Sequence, residues 1–241
     1  MMARSFCWPE ASQTRSPAVF FEPQNAMEFV FVIPRERLFP DCYPQGFRPF
    51  GDAFRREAFE ETVLRHGFFV ERDYAERTPS LKQVIPYTVV RRTDGEILVM
   101  RRLKKGGEGR LHGKLSIGVG GHINPEDKTD SEHANPLVGG TWRELSEEIV
   151  LEGRSELTPL GLINDDSNPV GAVHVGLAQM LTLDGQVRIR EEEILEGELL
   201  SPERLAALRD EGANFETWSS ILIDHLDEQR SNHTLTKATP V

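Results

Sequence analysis

Cysteine is nearly absent. Cys7 and Cys42 are the only two among 241 residues. That excludes a disulfide framework or a thiolate zinc site, and it fits a reducing cytoplasm. Positive charge is also short: 28 Lys and Arg stand against 39 Asp and Glu, a formal net charge of −11. Such a balance argues against nucleic acid as the general partner. No apolar run approaches the roughly 20 residues needed to cross a bilayer, and Arg4 has no apolar segment behind it to make a secretory signal. A membrane partner is therefore not expected. What remains is a chain with 38% apolar residues, enough for a core, of a length that suits one large domain or a domain with an added module.

Residues 1–26, punctuated by Pro9, Pro17 and Pro23, read as a loose extension, and Met27 reads as the natural start. Residues 28–33 (EFVFVI) form a strand, 38–51 a loop, and Asp52 to His66 a helix stopped at Gly67. Phe68-Phe69-Val70 is a short strand. Residues 27–80 are thus expected to make an N-terminal α/β module with a surface on which a homodimer could form. Next come two apolar runs, Val84 to Arg91 and Glu96 to Arg102, split by the hairpin signal Asp94-Gly95. Further strands are expected at Leu115 to Ile123, Leu157 to Ile163, Val170 to Leu183 with a turn at Asp184-Gly185, and 194–200. Helices are expected from Ser201-Pro202 to about Arg209 and from Phe215 to Leu226, with a frayed, flexible tail over 229–241.

The densest chemistry lies between Gly118 and Gly153. Gly118-Val119-Gly120-Gly121-His122-Ile123 is a glycine-rich strand end. Behind it, Glu144, Glu147 and Glu148 stand at i, i+3 and i+4 of a helix, which puts three carboxylates on one face. Trp142, Leu145 and Ile149 follow helical spacing on the other side and are expected to face a core. Clustered carboxylates repel; a hard divalent cation that prefers oxygen ligands relieves the repulsion. The helix starts either at Asn135-Pro136 or at the capping box Thr141-x-x-Glu144, and is expected to end near Gly153. Asn124 to Asn135 reads as a polar surface loop.

Arg143-Glu144-Leu145-Ser146-Glu147-Glu148 followed by Leu151 resembles the core of the Nudix hydrolase signature, Gly-x5-Glu-x7-Arg-Glu-U-x-Glu-Glu-x-Gly-U, with U aliphatic. Gly121 with His122 to Glu126 supplies the Gly-x5. Three departures accompany the match: Asp127 stands for Glu, fifteen residues (128–142) stand for seven, and Val150 stands for Gly. The close resemblance spans residues 120–151, and the order of elements extends it to about 82–227. It implies an α+β fold, an α/β/α sandwich around a mixed β-sheet, with residues 81–228 as the Nudix-like domain. It also implies a pyrophosphohydrolase, a phosphoesterase that uses Mg²⁺ or Mn²⁺ on a small phosphorylated substrate and cleaves a diphosphate linkage of nucleoside-diphosphate type. The metal would sit on Glu144, Glu147, Glu148 and the Gly120 carbonyl, with Arg143 holding the glutamates by ion pairing. For the general base the helix glutamates, Asp165, Asp166 and Glu191 to Glu193 all stay open.

Two other features bear on the site. The stretch Arg101 to Lys114 is basic and glycine-rich, so Arg101, Arg110 and His112 are candidates for contact with substrate phosphate. A second helix repeats the acidic pattern as Arg56-Glu57-Ala58-Phe59-Glu60-Glu61, but no glycine-rich strand end precedes it. His174 lies within a strand, where histidine is more often structural. An alternative function is a catalytically weak or inactive Nudix-fold sensor of a nucleotide-like ligand, motivated by Asp127, Val150 and the long loop. Isomerase chemistry assisted by cysteine is set aside, because neither cysteine lies near the signature.

Overall fold

The structure, a computed structural model, describes residues 27–103, 113–128, 135–190 and 192–237, the side chains of 230–237 excepted. Arg110, His112 and Glu191 lie outside the described residues, as do residues 1–26. In chain order the elements are β1 (Phe29–Pro34), α1 (Arg35–Leu38), β2 (Gly46–Pro49), α2 (Arg56–His66), β3 (Phe68–Glu71) and α3 (Arg72–Ala75). Then follow β4 (Leu81–Arg92), β5 (Ile97–Arg102), β6 (Leu115–Ser116), β7 (Gly118–Gly120), α4 (Pro136–Glu148) and β8 (Ile149–Asn164). The chain continues through α5 (Pro169–Val173), β9 (His174–Ile189), β10 (Leu195–Leu200), α6 (Pro202–Asp210) and α7 (Thr217–Lys237).

Among the described residues, one mixed sheet of ten strands holds these elements together, with the path β10-β5-β4-β9-β8-β2. β4 and β9 run parallel from Gln83↔His174 to Arg92↔Leu183. β4 is buried along almost its whole length, as expected of a strand covered on both faces. Its alternation shows what covers it. Val84 and Val90 pack into clusters that include Leu137 and Leu145 of α4, while Tyr87 and Val89 pack with Leu205 of α6 and Leu222 of α7. This is the layered α/β/α arrangement. Residues 27–80 share the sheet: β1 pairs with β4, and β2 pairs with β8.

Several local expectations are corrected. The helix bearing the glutamates ends at Glu148, not near Gly153, and Ile149 opens a sixteen-residue strand. Gly153 and Gly185 face each other inside the β8–β9 ribbon, both at positive φ (126° and 157°), so Asp184-Gly185 bends a continuous strand and is not a turn. β9 begins at His174, because Pro169 starts a short helix capped by Asn168, whose side chain accepts from the Gly171 N–H. α7 runs on to Lys237, through most of the expected tail. Trp142 is 42% exposed. Thr141 takes the place one turn before Leu145 that faces the sheet, where its hydroxyl donates to the Leu137 carbonyl at 2.7 Å and lies 3.1 Å from Gln179.

Candidate active site

α4 begins early, at Pro136, because Asn135 caps it: its side chain accepts from the Leu137 N–H at 3.0 Å. Two glycines in the first turns serve packing. A β-carbon at Gly139 would collide with the Asp127 carbonyl, and one at Gly140 would press on Ile123. The helix can therefore lie against the 3-10 turn Pro125–Asp127, and that turn carries the partner of Arg143.

Arg143 has five N–H donors, and the structure places an acceptor for each. Nε and Nη2 grip Asp127 at 2.8 and 3.1 Å, and Nη2 also reaches the His122 carbonyl at 2.6 Å. Nη1 bonds Glu144 at 2.8 Å and Glu147 at 3.1 Å. Asp127 is buried and also accepts the Asn124 N–H at 2.8 Å. The shorter acid thus completes the arginine cradle from its own turn. Burial works against the Arg143 charge, but Asp127 and Glu144 outweigh it and drive its pKa up.

Glu144 lies against the strand end: a β-carbon at Gly121 would collide with its carboxylate. Burial pushes the Glu144 carboxyl up, against the opposing pull of Arg143, and the charges of Glu147 and Asp127 add to the rise. Glu148 is buried and accepts from Arg102 Nη2 at 3.2 Å, whereas Glu147 is exposed. Glu144 and Glu148 line a cavity of about 760 Å³ together with Arg102, Lys114 and Arg143. Its walls include Tyr87 and Trp218, whose rings meet edge to face at 5.6 Å. The oxygen-only donors, drawn together beside a glycine backbone, suit a hard divalent cation.

Strand alternation decides between neighbouring arginines. Arg101 shares parity with Val99, on the side of α6 and α7, while Arg102 shares parity with Met100 and faces α4. Arg101 is exposed and does not line the cavity; Arg102 does. Asp165 accepts from the Ser167 N–H within its turn, and Asp166 pairs with the fully buried Lys82 at 2.8 Å. Neither aspartate lines the cavity, nor do Glu192 and Glu193. On α2, Glu60 and Glu61 pair with Arg56 and Arg65 one turn away, and none of its glutamates reaches the cavity. Arg102 and Lys114, toward the two ends of the basic stretch, line the cavity, and so do Glu76 and Trp218, which no sequence pattern marked. Only the parity of Arg102 with the apolar Met100 carried a usable signal.

No protein-family profile matches the chain. Protein YmaB of Bacillus subtilis (strain 168) is 42% identical over 163 residues, 66% of this chain and 77% of that protein. Among solved structures, the crystal structure of Tm1382, assigned as a Nudix hydrolase, aligns with a TM-score of 0.69 at 30% identity, over 83% of this chain and 98% of that one. DR0079 of Deinococcus radiodurans aligns at 18% identity over 65% of this chain and 90% of its own, with a TM-score of 0.45.

Proposed function

Because the chain belongs to the Nudix hydrolase superfamily, we propose that it hydrolyses the diphosphate linkage of a small nucleoside-diphosphate-type substrate, with Mg²⁺ or Mn²⁺ held by Glu144, Glu147, Glu148 and the Gly120 carbonyl. The observation that carries this reading is the Glu144 carboxylate seated against Gly121, in one cavity with Glu148, Arg102 and Lys114. A bound cation of this class neutralises phosphate oxygens and lowers the pKa of a water molecule.

The chain's own residues supply the rest. Lys114 and Arg102 attract the anionic diphosphate into the cavity. Arg143, with its donors already engaged, positions the glutamates and the turn at Asp127 and does not bind substrate. The ring of Trp218 offers an apolar surface for the group beyond the phosphates. Water attacks one phosphorus, the bridging P–O bond breaks, and the departing phosphate takes the bridging oxygen. The proton lost by water passes to a carboxylate. Asp165, Asp166, Glu192 and Glu193 do not line the cavity, whereas Glu148 is buried in its wall beside Arg102, and we assign the role to Glu148. Asp127 fills the place of the longer acid and bonds Arg143 at two points, so this departure gives no ground for an inactive sensor.

The test is phosphate or nucleotide release from a panel of diphosphate compounds with Mg²⁺ or Mn²⁺, for wild type and Glu148→Gln. Turnover that requires the cation and falls roughly 100-fold or more in the variant, the scale of losing one pre-organised charge contact, supports the assignment. Unchanged turnover in Glu148→Gln would overturn it.

A further inference from the structure

A second polar cluster lines the same cavity and has no part in the chemistry above. His122 follows the glycine-rich strand end, His174 opens β9, and Glu76 caps the end of α3. One ligand atom from each lies within 4.8 Å of the other two. The two Nε2 atoms stand 3.2 Å apart, with the rings inclined at 55°. His174 Nδ1 lies 2.7 Å from the Val170 carbonyl. A carbonyl can only accept, so Nδ1 carries the proton and the Nε2 lone pair is left bare. A backbone carbonyl on the far nitrogen is also the usual support of a metal-ligating histidine.

A hydrogen bond between the two rings would explain their separation, and Glu76 also meets Arg72 Nε at 3.6 Å, but neither contact accounts for three ligand atoms converging on one point. Two imidazole nitrogens about 2.0–2.1 Å from one ion at a tetrahedral angle stand about 3.3 Å apart, close to the observed distance. One further group is unexplained. Gln83 is fully buried, and neither end of its amide has a hydrogen-bond partner. It pairs in parallel register with His174, so both side chains leave the sheet on the same face, which Leu81 and Ala75 of α3 also share. A polar amide in that position suits a ligand water better than a dry core.

We infer that Glu76, His122 and His174 form a second cation site, selective for a borderline divalent transition ion such as Zn²⁺, and distinct from the all-oxygen site on α4. Two nitrogens and one carboxylate are the donor set for such ions, whereas Mg²⁺ favours oxygen alone. Three protein ligands leave a further coordination position for water or for an oxygen of a molecule bound in the cavity. His122 links the two sites: its carbonyl holds Arg143, and its ring meets His174.

The test reads ion binding and not turnover, so its outcome is independent of the hydrolysis assay. Chelator-stripped full-length protein is titrated with Co²⁺, followed by its visible absorption, and with Zn²⁺ by calorimetry. Wild type, Glu148→Gln, Glu76→Gln and His174→Ala are compared, with circular dichroism to check each fold. One equivalent of coloured Co²⁺ is expected in wild type and in Glu148→Gln, at least tenfold weaker in Glu76→Gln and lost in His174→Ala. If His174→Ala does not fold, Glu76→Gln decides alone, since Glu76 is partly exposed. Three results overturn the site: no Co²⁺ or Zn²⁺ bound by wild type, binding unchanged in Glu76→Gln, or binding abolished by Glu148→Gln.

Discussion

Arg143 illustrates why a short motif can specify a site. Its planar fork meets two acceptors on Asp127, two glutamates of its own helix and one carbonyl of the strand end. Lysine, with three donors and no fork, cannot reproduce this. Removing Asp127 leaves a guanidinium half-buried and short of its main partner. Asp127→Ala is therefore expected to cost about 3–5 kcal/mol, as when one side of a buried pair is deleted, measurable by urea unfolding. Gly121→Ala should behave differently. The new methyl meets the end of the Glu144 side chain rather than backbone, so turnover and Mg²⁺ affinity fall while the melting temperature changes little. These residues were legible in sequence because their spacing is local. Arg102 was not: adjacent arginines point to opposite faces, and only the register of β5 tells which one meets Glu148.

At the scale of elements, close approach governs what sequence signals mean. Gly139 and Gly140 read as reasons for a late helix start or a distorted first turn, since glycine disfavours helices by about 1 kcal/mol relative to alanine. They lie inside α4 because the Asp127 backbone passes too near Gly139, and the Ile123 side chain too near Gly140, for a side chain at either position. Gly139→Ala should consequently lower stability by about 1–3 kcal/mol, the usual cost of overpacking, despite its better helix propensity; a thermal melt checks the sign. In the same way, Gly153 and Gly185 resemble a helix stop and a hairpin turn, yet each serves the other across two long strands. Cross-strand partners of this kind lie outside any local window of sequence.

α7 carries a pH dependence of its own. The His225 ring packs on Phe47 of β2 at 4.5 Å. Burial holds its pKa below the ordinary value, against the opposing charge of Glu228. The unfolded chain takes up this proton near pH 6.5, whereas the folded chain does so only at lower pH. The associated stability is thus present above that value and lost as pH falls through the window beneath it. His225→Phe keeps the ring contact and removes the titration. The drop in urea midpoint from about pH 7.5 to about pH 5.5 should be smaller in this variant than in wild type.

For the molecule as a whole, the layered sandwich was legible because alternating runs and amphipathic helices dictate layers. The pairing of β4 with β9 was not, since nothing local links Gln83 to His174 across their parallel register. That pairing fixes the order in which a working protein can appear during synthesis. The cavity draws on Glu28 near one end of the described chain and on Trp218 near the other. While a ribosome is still adding β9, the acidic helix already exists, but β4 has an unpaired edge and the cavity lacks a wall. A prematurely terminated product would therefore present an open strand edge to its neighbours and hold no partial activity. Chains truncated before β9 are expected to be inactive and more readily cleaved by protease than the full chain, which limited proteolysis checks.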